Sequence, residues 1–176
     1  MISARSRLFA LLLASLGAAA FDAAGAPLRP VKNPVPADAF TVRDLSGKLV
    51  SLGDFRGRVV LLNFWATWCA PCAKEMPSME RLYQAYGAKG LVIVGMSVDT
   101  GAPQEVKAFA EKLKITFPIL HDRDSIVSRH YSIPGVPVSY LIDRKGRVAY
   151  RVLGEYDWFA SEAHAAVKGL LQGKQH

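Results

Sequence analysis

Cysteine is scarce in this 176-residue chain: there are two, and they stand three apart at Cys69 and Cys72. A small domain stapled by disulfides needs several bridges, so that class is excluded. A zinc finger is excluded as well, because the next histidines after the pair are His121 and His130, nine residues apart and far downstream. The chain also has no run of basic residues interleaved with aromatics, which argues against a nucleic-acid surface. It has no internal repeats, and no apolar stretch long enough for a comfortable membrane span. Charge is modest: 21% of residues are charged, and 22 Lys and Arg against 15 Asp and Glu give +7. With 51% apolar residues the chain can bury the core of one ordinary domain.

The first twenty residues have the order of a secretory leader. Arg5 and Arg7 precede an apolar stretch from Leu8 to Phe21, and Ala18, Ala19 and Ala20 supply the small residues of a cleavage site. The expectation is a signal peptide over 1–20, cut after Ala20 or a few residues later, and export to a bacterial periplasm or an equivalent oxidising space. An uncleaved membrane anchor is the alternative. No cysteine follows the leader to carry a lipid anchor. Pro27, Pro30, Pro34 and Pro36 then crowd a short segment. Proline lacks the backbone donor and fixes φ, so 21–37 reads as an extended linker barred from helix and ladder alike. The folded domain is expected over 38–176.

Within that domain the hydrophobic pattern alternates strand and helix. Phe40–Arg43 and Lys48–Ser51 flank Ser46-Gly47 as an N-terminal hairpin. Val59-Val60-Leu61-Leu62 and Leu91-Val92-Ile93-Val94 are continuous apolar runs, the mark of strands covered on both faces. Between them Met76, Met79, Tyr83 and Tyr86 recur at helical spacing, with Gly87 as a stop. A helix from Pro103 to about Lys114, a short one over Ser125–Tyr131, a strand over Val138–Ile142 and a returning strand over Arg147–Leu153 follow. A helix over Asp157–Leu171 closes the chain. The fold class is α/β: one mixed central sheet with helices on both faces.

Trp68-Cys69-Ala70-Pro71-Cys72 stands where the buried strand gives way to the helix. A thiol at a helix start faces unpaired backbone donors and the positive end of the dipole, which stabilise its thiolate. Cys69 is therefore the expected attacking sulfur. Cys72, one tight turn later, is placed to resolve a mixed disulfide faster than a thiol in solution. Pro71 fits the first turn, where no donor is lost. Glu75 is three residues beyond Cys72, on the same helical face. If that face turns inward, its carboxyl has a raised pKa and can exchange a proton with the buried thiol.

The stretch from Asn63 to Pro77 resembles the thioredoxin superfamily, and within it the exported TlpA/ResA type of thiol-disulfide oxidoreductase. The resemblance runs from about Phe40 to the C-terminus. It implies a thioredoxin-like fold with a central insertion over Val98–Leu120, and a cis-proline loop at Gly135-Val136-Pro137 whose Val136 backbone pairs with an extended substrate segment. It also implies a catalytic role for Glu75. Thioredoxins proper carry a buried Asp where this chain has Asn63, which cannot transfer a proton, so Glu75 is the better proton carrier. Pro77 resembles the superfamily's structural proline inside the helix. Trp68 is expected on the rim, in contact with partners, and Trp65 packed below.

The resemblance implies a periplasmic protein-disulfide oxidoreductase that works as a monomer with the Cys69–Cys72 disulfide in place of any cofactor. It implies net reduction of exported proteins such as apocytochrome c or copper-site assembly factors, with electrons from a membrane-bound thiol reductant. Two other functions fit the residues less well. Peroxidases of this fold need Pro-x-x-x-Thr/Ser-x-x-Cys, but Leu62 stands seven before Cys69 and Thr67 only two before it. A copper chaperone would use the soft thiolates with Met96 or a histidine, yet no histidine is visibly aimed at the pair, and no metal site is expected among His121, His130, His164 and His176.

Overall fold

The computed structural model describes residues 26–174. The signal-peptide reading of 1–20 and His176 lie outside them. In chain order the elements are β1 (Arg29–Pro30), β2 (Thr41–Arg43), β3 (Leu49–Ser51), β4 (Val59–Trp65), α1 (Ala70–Tyr86), β5 (Leu91–Ser97), α2 (Pro103–Lys112), β6 (Ile119–His121), α3 (Ile126–His130), β7 (Val138–Ile142), β8 (Val148–Leu153) and α4 (Ser161–Leu171). Six strands form one sheet in the order β1-β8-β7-β4-β5-β6, and β2 and β3 form a separate hairpin. The pairs β4–β5 and β5–β6 are parallel, whereas β7 runs antiparallel to both β4 and β8. This is the mixed α/β sheet that the alternation of runs predicts.

The continuous apolar runs have the expected cause. Every residue of β4 and of β5 is buried, because alternate side chains enter two different cores. Val59, Leu61 and Trp65 join the α1 residues Met76, Met79 and Leu82 and the α4 residues Ala163, Ala166, Val167 and Leu170. Val60, Leu62 and Phe64 enter the second core with Phe40, with Val127 of α3 and with Tyr131. Helix α3 is only five residues long, so that second face is completed by the hairpin, whose Val42 and Val50 pack against it. Asn63 falls in the α1-facing register of β4, between Leu61 and Trp65. That single polar position under α1 governs the site described below.

Three features depart from the sequence reading. The prolines after the leader do not bar a ladder: Arg29 and Pro30 pair with Arg151 and Tyr150 of β8. Farther along, Val148 N donates to Val35 O at 2.9 Å and Ala37 N to Gly146 O at 2.9 Å. The segment is the edge of the sheet, where only one side of the strand needs donors, and a proline with its missing N–H turned outward is tolerated there. Strand β6 is absent from the sequence reading, since three residues at the end of the 98–120 insertion carry too little pattern to separate from a loop. Helix α4 begins at Ser161, four residues later than expected. Its approach over Tyr156–Trp158 is tied instead to α1, with Trp158 N donating to Ser78 Oγ at 2.9 Å.

No helix among the described residues is long and apolar enough to cross a membrane. Leu61, fully buried beneath α1, is a direct test of this packing. Leu61→Ala is expected to lower the unfolding free energy by about 2–5 kcal/mol, read as an earlier denaturant midpoint with an unchanged slope.

Candidate functional site: a disulfide at the start of a helix

Strand β4 ends at Trp65, and a short turn carries the chain from there into α1. Cys69 is the N-cap of that helix, in extended backbone (φ −92°, ψ 100°), with Pro71 in the first turn. Its carbonyl accepts the first helical bond from Ala73 N at 3.1 Å, and its Sγ accepts a hydrogen bond from Cys72 N at 3.2 Å. A sulfur in this position receives a backbone donor that would otherwise be unpaired, and it lies at the positive end of the dipole. Cys69 and Cys72 are joined as a disulfide with Cα atoms 5.3 Å apart. The two residues differ in exposure: Cys69 is 5% exposed and Cys72 0%. What little exposure the pair has belongs to Cys69.

The turn that presents Cys69 is held by a residue the sequence reading passed over. Asp99, just beyond β5, is buried. Its carboxylate accepts Thr67 Oγ1 at 2.6 Å, Thr67 N at 3.1 and 3.2 Å and Ser97 Oγ at 2.7 Å. His121 Nε2 donates to the Asp99 carbonyl at 2.7 Å. The signal was available: a polar Ser-x-Asp at the carboxyl end of an apolar parallel strand is where open α/β sheets place their working residues.

Trp68, between Thr67 and Cys69, is 71% exposed. Together with Val98, Ile133, Pro134 and Val136 it lines a groove of about 470 Å³. The Val136–Pro137 peptide bond is cis, as the resemblance implied. Trp65 is fully buried and stacks on Phe109, with ring centroids 5.6 Å apart. Rim and floor are therefore divided between the two tryptophans as expected, and Pro77 lies inside α1.

Glu75 turns inward. It is 2% exposed, with Oε1 accepting from Asn63 Nδ2 at 2.6 Å and Oε2 accepting from Tyr156 N at 3.2 Å. Loss of water pushes its pKa up to about 8; the hydrogen bonds from Asn63 and Tyr156 oppose that rise, and the charge of Glu155 adds to it. Glu155 is itself paired with Lys74 on α1. Asn63 Nδ2 also donates to Ser139 Oγ at 2.9 Å, and Ser139 is the residue opposite Asn63 in the β4–β7 ladder. Ser139 was not anticipated, although a lone hydroxyl inside Val138-Ser139-Tyr140-Leu141-Ile142 marks a strand position that needs a polar partner.

Two of the histidines are occupied elsewhere. His121 holds Asp99, and His164 bonds the Tyr86 hydroxyl at 2.8 Å. Among the described residues no group of three or more His, Cys, Asp or Glu is placed to hold a metal ion.

A family model described as the AhpC/TSA family matches residues 31–151. A thiol-disulfide oxidoreductase ResA of Bacillus cereus is 41% identical over 116 residues, 66% of this chain and 66% of that protein, just under two thirds of the relative's length. ResA of Geobacillus thermodenitrificans is 38% identical over 151 residues, 85% of this chain and 86% of the relative. Among solved structures, a thiol:disulfide interchange protein from a Bacteroides species superposes with a TM-score of 0.70 at 32% identity, covering 81% of this chain and 95% of the other. A thioredoxin family protein from Chlorobium tepidum TLS, also described as a thiol:disulfide interchange protein, superposes with a TM-score of 0.69 at 28% identity, covering 80% and 99%. With the family model spanning well over half its length, and with the thioredoxin-like sheet of these neighbours, the chain belongs to the AhpC/TSA family.

Proposed function

We propose that this protein is an exported thiol-disulfide oxidoreductase that acts by dithiol–disulfide exchange. The observation that carries the reading is the Cys69–Cys72 disulfide at the first turn of α1, with Cys69, the more exposed of the two, capping the helix and Cys72 buried beneath it. ResA relatives bearing that activity in their names support it. In the reduced protein the Cys69 thiolate attacks a disulfide of the partner. A mixed disulfide forms at Cys69 and the partner's first sulfur leaves as thiolate. The Cys72 thiolate then attacks Cys69 Sγ, the internal disulfide closes, and the second partner sulfur leaves. The partner gains two electrons and this chain loses two.

Cys72 has to lose a proton before it attacks, and Glu75 is the proton carrier. A solvated carboxyl is far too acidic to share a proton with a thiol, whereas one raised to about 8 is matched to the thiol range. The groove between Trp68 and Val136 receives the partner's extended segment, and no bound cofactor is needed. The leader-like N-terminus and the redox chemistry support a periplasmic location. Because that compartment is oxidising, a membrane-bound thiol reductant must return electrons to the disulfide. The substrates are exported proteins of the apocytochrome c or copper-site assembly type, and the working unit is a monomer.

Three outcomes test the reading. Cys72→Ala is expected to accumulate a partner covalently held at Cys69 and visible on non-reducing gels, while Cys69→Ala holds none; an empty Cys72→Ala trap would remove the mechanism. Trp68→Ala, at an exposed position, should leave the unfolding midpoint unchanged and lower kcat/KM for a protein disulfide by about tenfold, a loss of ~1.4 kcal/mol of transition-state binding. The third is a pH effect. The folded pKa of Glu75 lies above its unfolded value, so its stabilising contribution is complete below about pH 4.5 and is lost as pH rises through about 8. The oxidised protein should therefore lose on the order of a few kcal/mol between about pH 5 and 8.5. Glu75→Gln should flatten that slope in denaturant titrations.

A further inference from the structure

Asn63 poses a hydrogen-bonding problem that the exchange mechanism leaves unused. Both hydrogens of its Nδ2 have partners, Glu75 Oε1 at 2.6 Å and Ser139 Oγ at 2.9 Å. Its Oδ1 is buried and has no hydrogen-bond partner. Buried side-chain carbonyls rarely remain so, and each such case calls for an explanation. The arrangement recorded here suits a carboxylate, which accepts and does not donate.

A protonated Glu75 needs the opposite. Oε2 can remain the carbonyl oxygen that accepts Tyr156 N, which leaves Oε1 to carry the hydrogen. An N–H facing that O–H is a donor against a donor. The idle acceptor on the same side chain removes the conflict: a half-turn of the amide plane exchanges Oδ1 for Nδ2. Oδ1 has two lone pairs, and two donors then face it. One is the Glu75 hydroxyl. The other is the Ser139 hydroxyl, which, unlike an amide or a methyl group, can donate as readily as it accepts.

We propose that Asn63 is a positioning residue for proton exchange, its side-chain amide turning over as Glu75 gains and loses its proton while the Ser139 hydroxyl reverses from acceptor to donor. The proposal rests on the reading of Glu75 as the proton carrier. When the proton passes from Glu75 Oε1 to the Cys72 thiolate, a carboxylate and a thiol result and Nδ2 turns back to the carboxylate; when Cys72 is deprotonated the amide turns the other way. Residue type matters here. An aspartate at position 63 would place a second negative charge beside Glu75, and a leucine would offer neither donor nor acceptor. The other groups that bear on Glu75 are Cys72 one turn earlier on α1, the Tyr156 N–H, and Glu155 with its partner Lys74. The Tyr156 N–H and the Lys74 ammonium only donate, and Cys72 changes from donor to acceptor only by losing the proton that is being exchanged.

The test is a pH titration of the oxidised, full chain labelled with 15N-asparagine and 13C-glutamate. The Glu75 Cδ resonance should titrate with a midpoint far above that of a solvated glutamate. The Asn63 side-chain NH2 resonances should step through the same midpoint, moving upfield in 1H on the acid side as their two hydrogen bonds are released. In Glu75→Gln the Asn63 step should vanish. If Glu75 titrates and Asn63 does not move, the amide is fixed and the proposal fails while the proton carrier stands. If Glu75 remains ionised from about pH 5 to 10, the proton carrier itself fails. An Asn63 step that persists in Glu75→Gln assigns the motion to another group and overturns the proposal as well.

Discussion

A carboxyl group buried between a helix and the middle of a sheet is an expensive element unless its oxygens are met. Glu75 is met from two directions, by a strand side chain and by a loop N–H. That pair of bonds fixes how α1 sits on the sheet. Together with Met76, Met79 and Leu82 in the core, it holds the face of α1 that carries Cys72 against the sheet. The same contacts draw the Tyr156–Trp158 approach onto α1, beside the bond from Trp158 N to Ser78. The difference in exposure between Cys69 and Cys72 is thus a consequence of packing as much as of their place in the first turn.

Most of the frame was legible because its signals are local. Continuous apolar runs announced the two central strands, four apolar residues at helical spacing announced α1, and the Cys-x-x-Cys at their junction announced the site. The cis bond before Pro137 and the inward turn of Glu75 came from the family likeness and would not have followed from propensity alone. What was missed shares one character: it depends on pairing across distance. Ser139 matters because the ladder sets it opposite Asn63. Asp99 matters because its strand ends level with Thr67. Strand β6 exists because β5 had a free edge. The proline segment was misread for the same reason, since a rule about proline in ladders holds for central strands and relaxes at an edge.

The site also shows how differently two carboxylates can be treated a short way apart. Asp99 receives hydroxyl and amide donors and serves as an anchor for the turn before the active cysteine. Glu75 is buried, is given fewer donors and has the charge of Glu155 for company, which together push its pKa up to about 8. Environment alone, with no change in the chemistry of the carboxyl group, sets the two apart.

The proline-rich segment along β8 has a consequence for the behaviour of the protein at high concentration. A β-sheet that ends on an open strand invites a neighbouring molecule to continue it, and growth of that kind leads to fibres. Here the rim strand contains Pro30 and continues past Pro34 and Pro36, beside which the chain hydrogen-bonds inward to β8. Imino residues turned outward give an approaching copy few amide hydrogens to grip. The proline-rich stretch over residues 29–37 thereby doubles as a guard against self-association, capping the sheet on the side where it would otherwise be extendable.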